Sequence, residues 1–207
     1  MQQSIYGEGK EYLSYSAIDI WQHSKPQYRK RYYEGVKTPD TVYTSYGRQV
    51  HQDIENGIIK IDGFKTFTSE VMIRHSIAGV DMLAYVDLLD TTTYTFADVK
   101  TSKHEWDTVR VQKLNQLPVY SLLIQDAYGE VQNKCAVVWV ETLAETPTTS
   151  ILDGAKRALS IQRTGRVETI WRSIEQAERD KWRDIIISTA DEIRKDFIEY
   201  KKTLCQN

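Results

Sequence analysis

The order of local signals predicts a single α/β domain: helices at the start, three consecutive antiparallel strands, a helix, a further strand and a helical tail. Three observations carry this. Residues 79–103, GVDMLAYVDLLDTTTYTFADVKTSK, alternate with period two on both sides of a threonine-rich turn, as a β-hairpin does. The stretches before and after it, ending at Gly57 and Gly129, have helical spacing and glycine stops. From Ser173 to Lys202 apolar residues recur at helical intervals among charges of both signs. The 207 residues suffice for one packed core, and 41% hydrophobic with 27% charged residues argues against wholesale disorder.

Taken in order, residues 1–12 read as a loose or strand-like arm. A short helix follows, with Ser16 as N-cap and Asp19 as its capping partner. Ser24 and Pro26 mark a second start, giving a helix over Gln27–Glu34 that ends at Gly35. Between residues 21 and 37 five cations stand against one acid, interleaved with Trp21, Tyr28, Tyr32 and Tyr33. Either this is a solvated helix face with its aromatics in the core, or a surface for phosphates and stacked bases, in which Arg29, Lys30 and Arg31 would contact DNA. Arg48 and Lys103 are the further candidate DNA contacts. The net charge of −2 neither supports nor excludes that partner.

A helix over Tyr43–Asn56 places Tyr46, Val50 and Ile54 on a core stripe, with His51 and Glu55 one turn apart on an adjoining face. Residues 67–77 read as the first strand and the hairpin supplies the next two. With a turn on Asp90–Thr93, residue 87 pairs with 97 or 98, so Asp87 and Asp98 become cross-strand neighbours about 5 Å apart. Lys100 points the same way as Asp98. Two carboxylates that close repel and raise each other's pKa unless a cation intervenes, and a hard divalent ion is the simplest occupant. The competing reading is a surface salt bridge on an exposed strand; Tyr94 and Phe96 on the same face argue for partial cover.

The next helix either starts after Asn115, with Pro118 in its first turn, or runs from Trp106 with a kink at Pro118; both set Gln116 and Tyr120 at i, i+4. Residues 131–141 (VQNKCAVVWVE) read as a buried strand, 142–150 as a loop, and 151–161 as strand or helix. The single domain divides into a helical lead at 1–42, a core at 43–142 and a mainly helical tail at 143–207. Two cysteines are too few for a disulfide framework. With no apolar run of membrane length and no signal-peptide core at the start, the expected location is the cytoplasm.

An acid-x-Lys triplet is weak alone and occurs three times, at Glu8–Lys10, Asp98–Lys100 and Glu199–Lys201; only the middle one lies on a strand beside a second acid. In sequence order, LSYSAIDIWQHSKPQYRKRYYEG, YGRQVHQDIE, MLAYVDLLD, FADVKTSK and QLPVY resemble the successive motifs of the PD-(D/E)xK nuclease superfamily, and of its RecB-like branch of phage and recombination exonucleases. The resemblance spans roughly residues 13–128 and implies a restriction-endonuclease-like core. It also implies that Asp87, Asp98 and the Val99 carbonyl ligate Mg²⁺ or Mn²⁺, with His51 approaching from its helix. Lys100 would act on the attacking water and the phosphate, and Gln116 and Tyr120 would hold the lysine or the DNA backbone.

Three departures stand out. Val86 replaces the proline of the motif, Asp98 stands where a glutamate is common, and Cys135 and Cys205 cannot supply the four-cysteine iron–sulphur cluster of some relatives, so none is expected. No P-loop signature accompanies the motifs. The function implied is a Mg²⁺- or Mn²⁺-dependent DNA exonuclease acting at linear single- or double-stranded ends in phage or bacterial replication, recombination or processing. In a phage the compartment would be the bacterial host cytoplasm. The candidate protein partner is a recombination or single-strand-binding protein, and no membrane partner is expected. The alternatives are an endonuclease on the same core and a catalytically silent DNA-binding module.

Overall fold

The structure, a computed structural model, describes residues 5–129, 133–145 and 160–205. Its centre is a mixed five-stranded sheet in the order β1-β2-β3-β4-β5: Thr68–Ile77, Val80–Leu89, Phe96–Ser102, Lys134–Glu145 and Ser160–Ser173. The first three strands form the expected antiparallel meander; β4 then lies parallel to β3, and β5 returns antiparallel to β4. Ala78 and Gly79, both at positive φ, make the two-residue turn between β1 and β2.

The helices are α1 (Tyr15–His23), α2 (Lys25–Tyr32), α3 (Val42–Glu55), α4 (Thr108–Gln112), α5 (Gln116–Tyr128) and α6 (Gln176–Leu204). Both faces of the sheet are covered. On one side α1, α2, α5 and α6 build the larger core with Cys135, Val137 and Trp139 of β4; on the other, Val50 and Ile54 of α3 join Ile59, Phe64, Ala136, Val138 and Val140. The unbroken apolar run in β4 follows from burial on both faces. Helix α5 lies deepest, with Leu117 through Ile124 all buried.

Two expectations shift, and one pair of alternatives resolves. Helix α1 is capped by Ser14 instead of Ser16, because the Ser14 hydroxyl is the one that accepts the Ala17 N–H, at 3.3 Å. Asp19 accepts from the Tyr15 hydroxyl instead. Helix α5 starts at Gln116 with Pro118 in its first turn, and the separate short α4 replaces the longer kinked helix. The stretch read as mainly helical, 143–207, also contributes the end of β4 and all of β5. Residues 151–159 of the segment left as strand or helix lie outside the described residues; its last two belong to β5. Helix α6 is continuous. Among the described residues no helix is long and apolar enough to cross a membrane.

Candidate active site

Strands β2 and β3 pair over only two rungs, Leu88↔Ala97 and Leu89↔Phe96, and then separate. Strand β3 continues with β4 over seven rungs, from Phe96↔Cys135 to Ser102↔Glu141. The edge of β2 freed by this split is taken by Leu13. Its N–H donates to the Asp81 carbonyl and its carbonyl accepts from Leu83, each at 2.8 Å. On the β3 side, the Asp87 carboxylate accepts the Val99 N–H at 2.7 Å. The split therefore leaves a rift with Asp87 reaching across it.

The alternation of β2 slips at this point. Val80, Met82, Ala84 and Val86 belong to the larger core, Leu88 to the smaller one, and Leu89 to the larger again. On β3, Ala97 and Val99 face α3, so Asp98 and Lys100 face α5 with Phe96. The Lys100 ammonium lies 2.8 Å from Asp98 Oδ2 and donates to Gln116 Oε1 at 3.1 Å. Gln116 Nε2 in turn donates to the Tyr120 hydroxyl at 2.8 Å. The i, i+4 spacing on α5 thus builds a relay of contacts, Asp98–Lys100–Gln116–Tyr120, that fixes the lysine from behind.

His51 of α3 completes the rift from the opposite face. Its Nε2 lies 3.9 Å from Asp87 Oδ2, and its Nδ1 lies 2.5 Å from Glu70 Oε1 on β1. Glu55, one turn on from His51, is exposed and takes no part; the third member of the cluster is Glu70. His51, Glu70 and Asp87 each offer a ligand atom, and these atoms lie within 4.8 Å of one another. Sequence periodicity alone could not find Glu70. Only the β1–β2 register, in which the rung between Ser69↔Leu88 and Val71↔Val86 belongs to Glu70 and Asp87, brings it to the rift.

The electrostatics call for a cation. Burial first, then the charge of Asp98, pushes the Asp87 carboxyl up to about 7, against the pull of His51, the Val99 N–H and Lys100. Burial likewise raises Asp98, with Lys100 and then His51 opposing. Asp98 is 1% exposed, and its Oδ2 accepts no aligned hydrogen bond although the lysine is in ion-pair contact. A buried carboxylate in ion-pair contact with Lys100, a second carboxylate raised by burial and an imidazole nitrogen form a donor set that fits a divalent cation. Burial, then Asp19 and Asp98, also push the Tyr15 hydroxyl of α1 up to about 12.

The expected DNA contacts are scattered by comparison. Arg29 is bonded to Asp196 of α6, and Lys25 to Glu192 at 3.0 Å. Trp21, Tyr28 and Tyr33 are buried, so the aromatics interleaved with these cations pack α1 and α2 onto α6. Arg48 donates to Asp40 at 2.6 Å. Arg31 lies over the Tyr32 ring, and Lys30 is exposed. Lys103, three residues beyond the relay lysine, lines a cavity of about 330 Å³ with Tyr43, Tyr46 and His104.

Comparison with known proteins identifies the fold and the family. The family model of the PD-(D/E)XK nuclease superfamily matches residues 54–207. A phage-related exonuclease from Haemophilus somnus 129PT superposes with a TM-score of 0.52 at 14% identity, covering 90% of this chain and 82% of that one. An alkaline exonuclease (LHK-Exo) from Laribacter hongkongensis superposes with 0.54 at 12%, covering 95% and 94%. A protein from Eubacterium rectale assigned as an exonuclease gives 0.56 at 11%, covering 90% and 82%. No curated protein matches. At these identities the likeness is one of fold, and the family match over three-quarters of the chain establishes the membership: the protein belongs to the PD-(D/E)XK nuclease superfamily.

Proposed function

We propose that this nuclease is a divalent-metal-dependent deoxyribonuclease that works from DNA ends. The observation that carries the reading is the rift itself: two buried, mutually repelling carboxylates beside a lysine whose ammonium is fixed by Asp98 and Gln116. Asp87, Asp98 and His51, with the Val99 carbonyl, would hold Mg²⁺ or Mn²⁺. Such an ion polarises a phosphoryl oxygen and lowers the pKa of bound water. An imidazole in the donor set favours Mn²⁺ as a competent alternative to Mg²⁺.

The chain's own groups do the rest. Lys100 presents a positive charge where negative charge grows on the phosphate, and it can orient the attacking water. Its three donors leave one free after Asp98 and Gln116 are met. Gln116 and Tyr120 hold that geometry by a short, part-buried contact instead of a flexible surface one. Action at ends is supported by analogy of fold: the neighbours named above are described as exonucleases, and LHK-Exo also forms a complex with dAMP, a mononucleotide (TM-score 0.51, 13% identity).

The test is one gel with end-labelled linear single- and double-stranded DNA and a closed circle, in Mg²⁺, Mn²⁺ or chelator. Release of nucleotides from linear DNA only when an ion is added, with circles intact, is expected. Cutting in chelator defeats the metal reading; cutting of closed circles makes the protein an endonuclease.

A further inference from the structure

Glu70, the third residue of β1, has φ = +51°, a left-handed conformation that L-residues adopt at a cost of roughly 1–2 kcal/mol. The register puts it opposite Asp87, on the rung where the β2 alternation slips. Glycine would hold this backbone more cheaply. What the glutamate adds is a carboxylate 2.5 Å from His51 Nδ1.

A carboxylate oxygen only accepts, so in the neutral imidazole this bond sets the proton on Nδ1 and leaves Nε2 with its lone pair. Nε2 is the nitrogen that faces Asp87, 3.9 Å from its Oδ2. Glu70 itself is half-exposed, at 51% for the side chain, whereas Asp87 is at 14%, and its Oε1 is already engaged by the histidine. We propose that Glu70 is a positioning residue: it locks His51 in the Nδ1–H tautomer and aims Nε2 at the Asp87 carboxylate, thereby setting the affinity of the site for nitrogen-accepting ions such as Mn²⁺. Its function is that of a carboxylate partner behind a metal-facing histidine, not of a ligand in its own right. The affinity half of this inference rests on the metal-dependent reading above; the tautomer half does not.

Two measurements without DNA decide it. The first is ¹⁵N-edited NMR of the histidine ring nitrogens in chelator, read at alkaline pH, where a neutral imidazole carries a single ring proton. His51 should be the Nδ1–H tautomer in the wild type and in Glu70→Gln, whose amide oxygen still accepts, and should move toward the Nε2–H form in Glu70→Ala. The second is Mn²⁺ and Mg²⁺ binding by calorimetry. Glu70→Ala should weaken Mn²⁺ by about 10–100-fold, and Mg²⁺ by less, with Glu70→Gln close to wild type. In a His51→Ala background the same Glu70→Ala change should have almost no effect. Should Glu70→Ala fail to fold, Glu70→Gly suits the left-handed backbone and removes the same carboxylate. An unchanged His51 tautomer overturns the proposal. So does an equal loss of Mn²⁺ affinity with and without His51, which would make Glu70 a direct ligand. A wild-type chain that binds neither ion defeats the metal-dependent reading, and the tautomer alone then decides what Glu70 does.

Discussion

Replacing Asp87 by Asn should stabilise the metal-free protein while abolishing cleavage. Burial and Asp98 lift the Asp87 carboxyl from the ordinary value of 3.8 to about 7 in the folded chain. Between those values the folded state retains a proton that the unfolded state has released. Stability therefore declines as pH rises from about 4 to about 7, and the full loss is present above pH 7. At 1.36 kcal/mol per unit, a shift of roughly three units corresponds to at most ~4 kcal/mol. For a chain of this size that is a drop of about 8–16 °C in the unfolding midpoint. Asparagine keeps an oxygen for the Val99 N–H, now at 2.7 Å from the carboxylate, and carries no charge. The assay is urea or thermal unfolding in chelator at about pH 5 and about pH 8. The variant should be the more stable by about 1–2 kcal/mol at the lower pH and by about 3–4 kcal/mol at the higher one, the gap closing only below about pH 4. Added Mn²⁺ should close the gap by stabilising only the wild type. Equal stabilities and equal pH slopes in chelator would refute the argument that the folded site carries an unneutralised charge.

Lys100→Ala should reduce single-turnover cleavage by at least about 10²-fold, while DNA affinity measured by fluorescence anisotropy in chelator stays nearly unchanged. Tyr120→Phe removes the acceptor of Gln116 Nε2, so kcat should fall about 3–10-fold with KM little altered, and urea unfolding should show a loss of ~1 kcal/mol. Arg29→Ala should lower stability by about 1 kcal/mol through its lost contact with Asp196, without changing the salt dependence of DNA binding. Lys103→Ala, by contrast, should reduce the slope of log affinity against log salt by about one if that residue meets a phosphate.

What could be read in advance depended on whether a feature was local. The period-two hairpin, its turn and the shared face of Asp98 and Lys100 need only neighbouring residues, and Pro118 is enough to set Gln116 and Tyr120 one turn apart. The basic stretch at 21–37 was ambiguous because its partners lie far along the chain: Glu192 and Asp196 of α6 neutralise Lys25 and Arg29. Strand β5 escaped notice for another reason. It is an edge strand with Gln162, Arg163, Thr164 and Arg166 exposed, and among residues 161–173 the one buried residue is an arginine, Arg172, which donates to the carbonyls of Val111 and Leu114 and pairs with Glu178. No hydrophobic alternation announces such a strand. Glu70 needed both the register of β1 on β2 and a left-handed φ that no glycine signalled.

The rift is open because β2 and β3 pair over two rungs only, and an unpaired strand edge inside a domain is costly unless each polar group finds a partner. Leu13 meets that need on β2. On β3 the partner of the Val99 N–H is Asp87 itself, so one carboxylate bridges the rift and, on the proposed function, also supplies its chemistry. The two roles separate by substitution. Asp87→Asn discards the charge and keeps the acceptor; Asp87→Ala discards both and leaves the Val99 N–H without its partner. Relative to the asparagine variant, the alanine variant should be less stable by about 1–3 kcal/mol in urea unfolding with chelator present. Equal stability of the two variants would mean that water reaches Val99 once the carboxylate is gone, and that Leu13, not Asp87, is what keeps the strands apart.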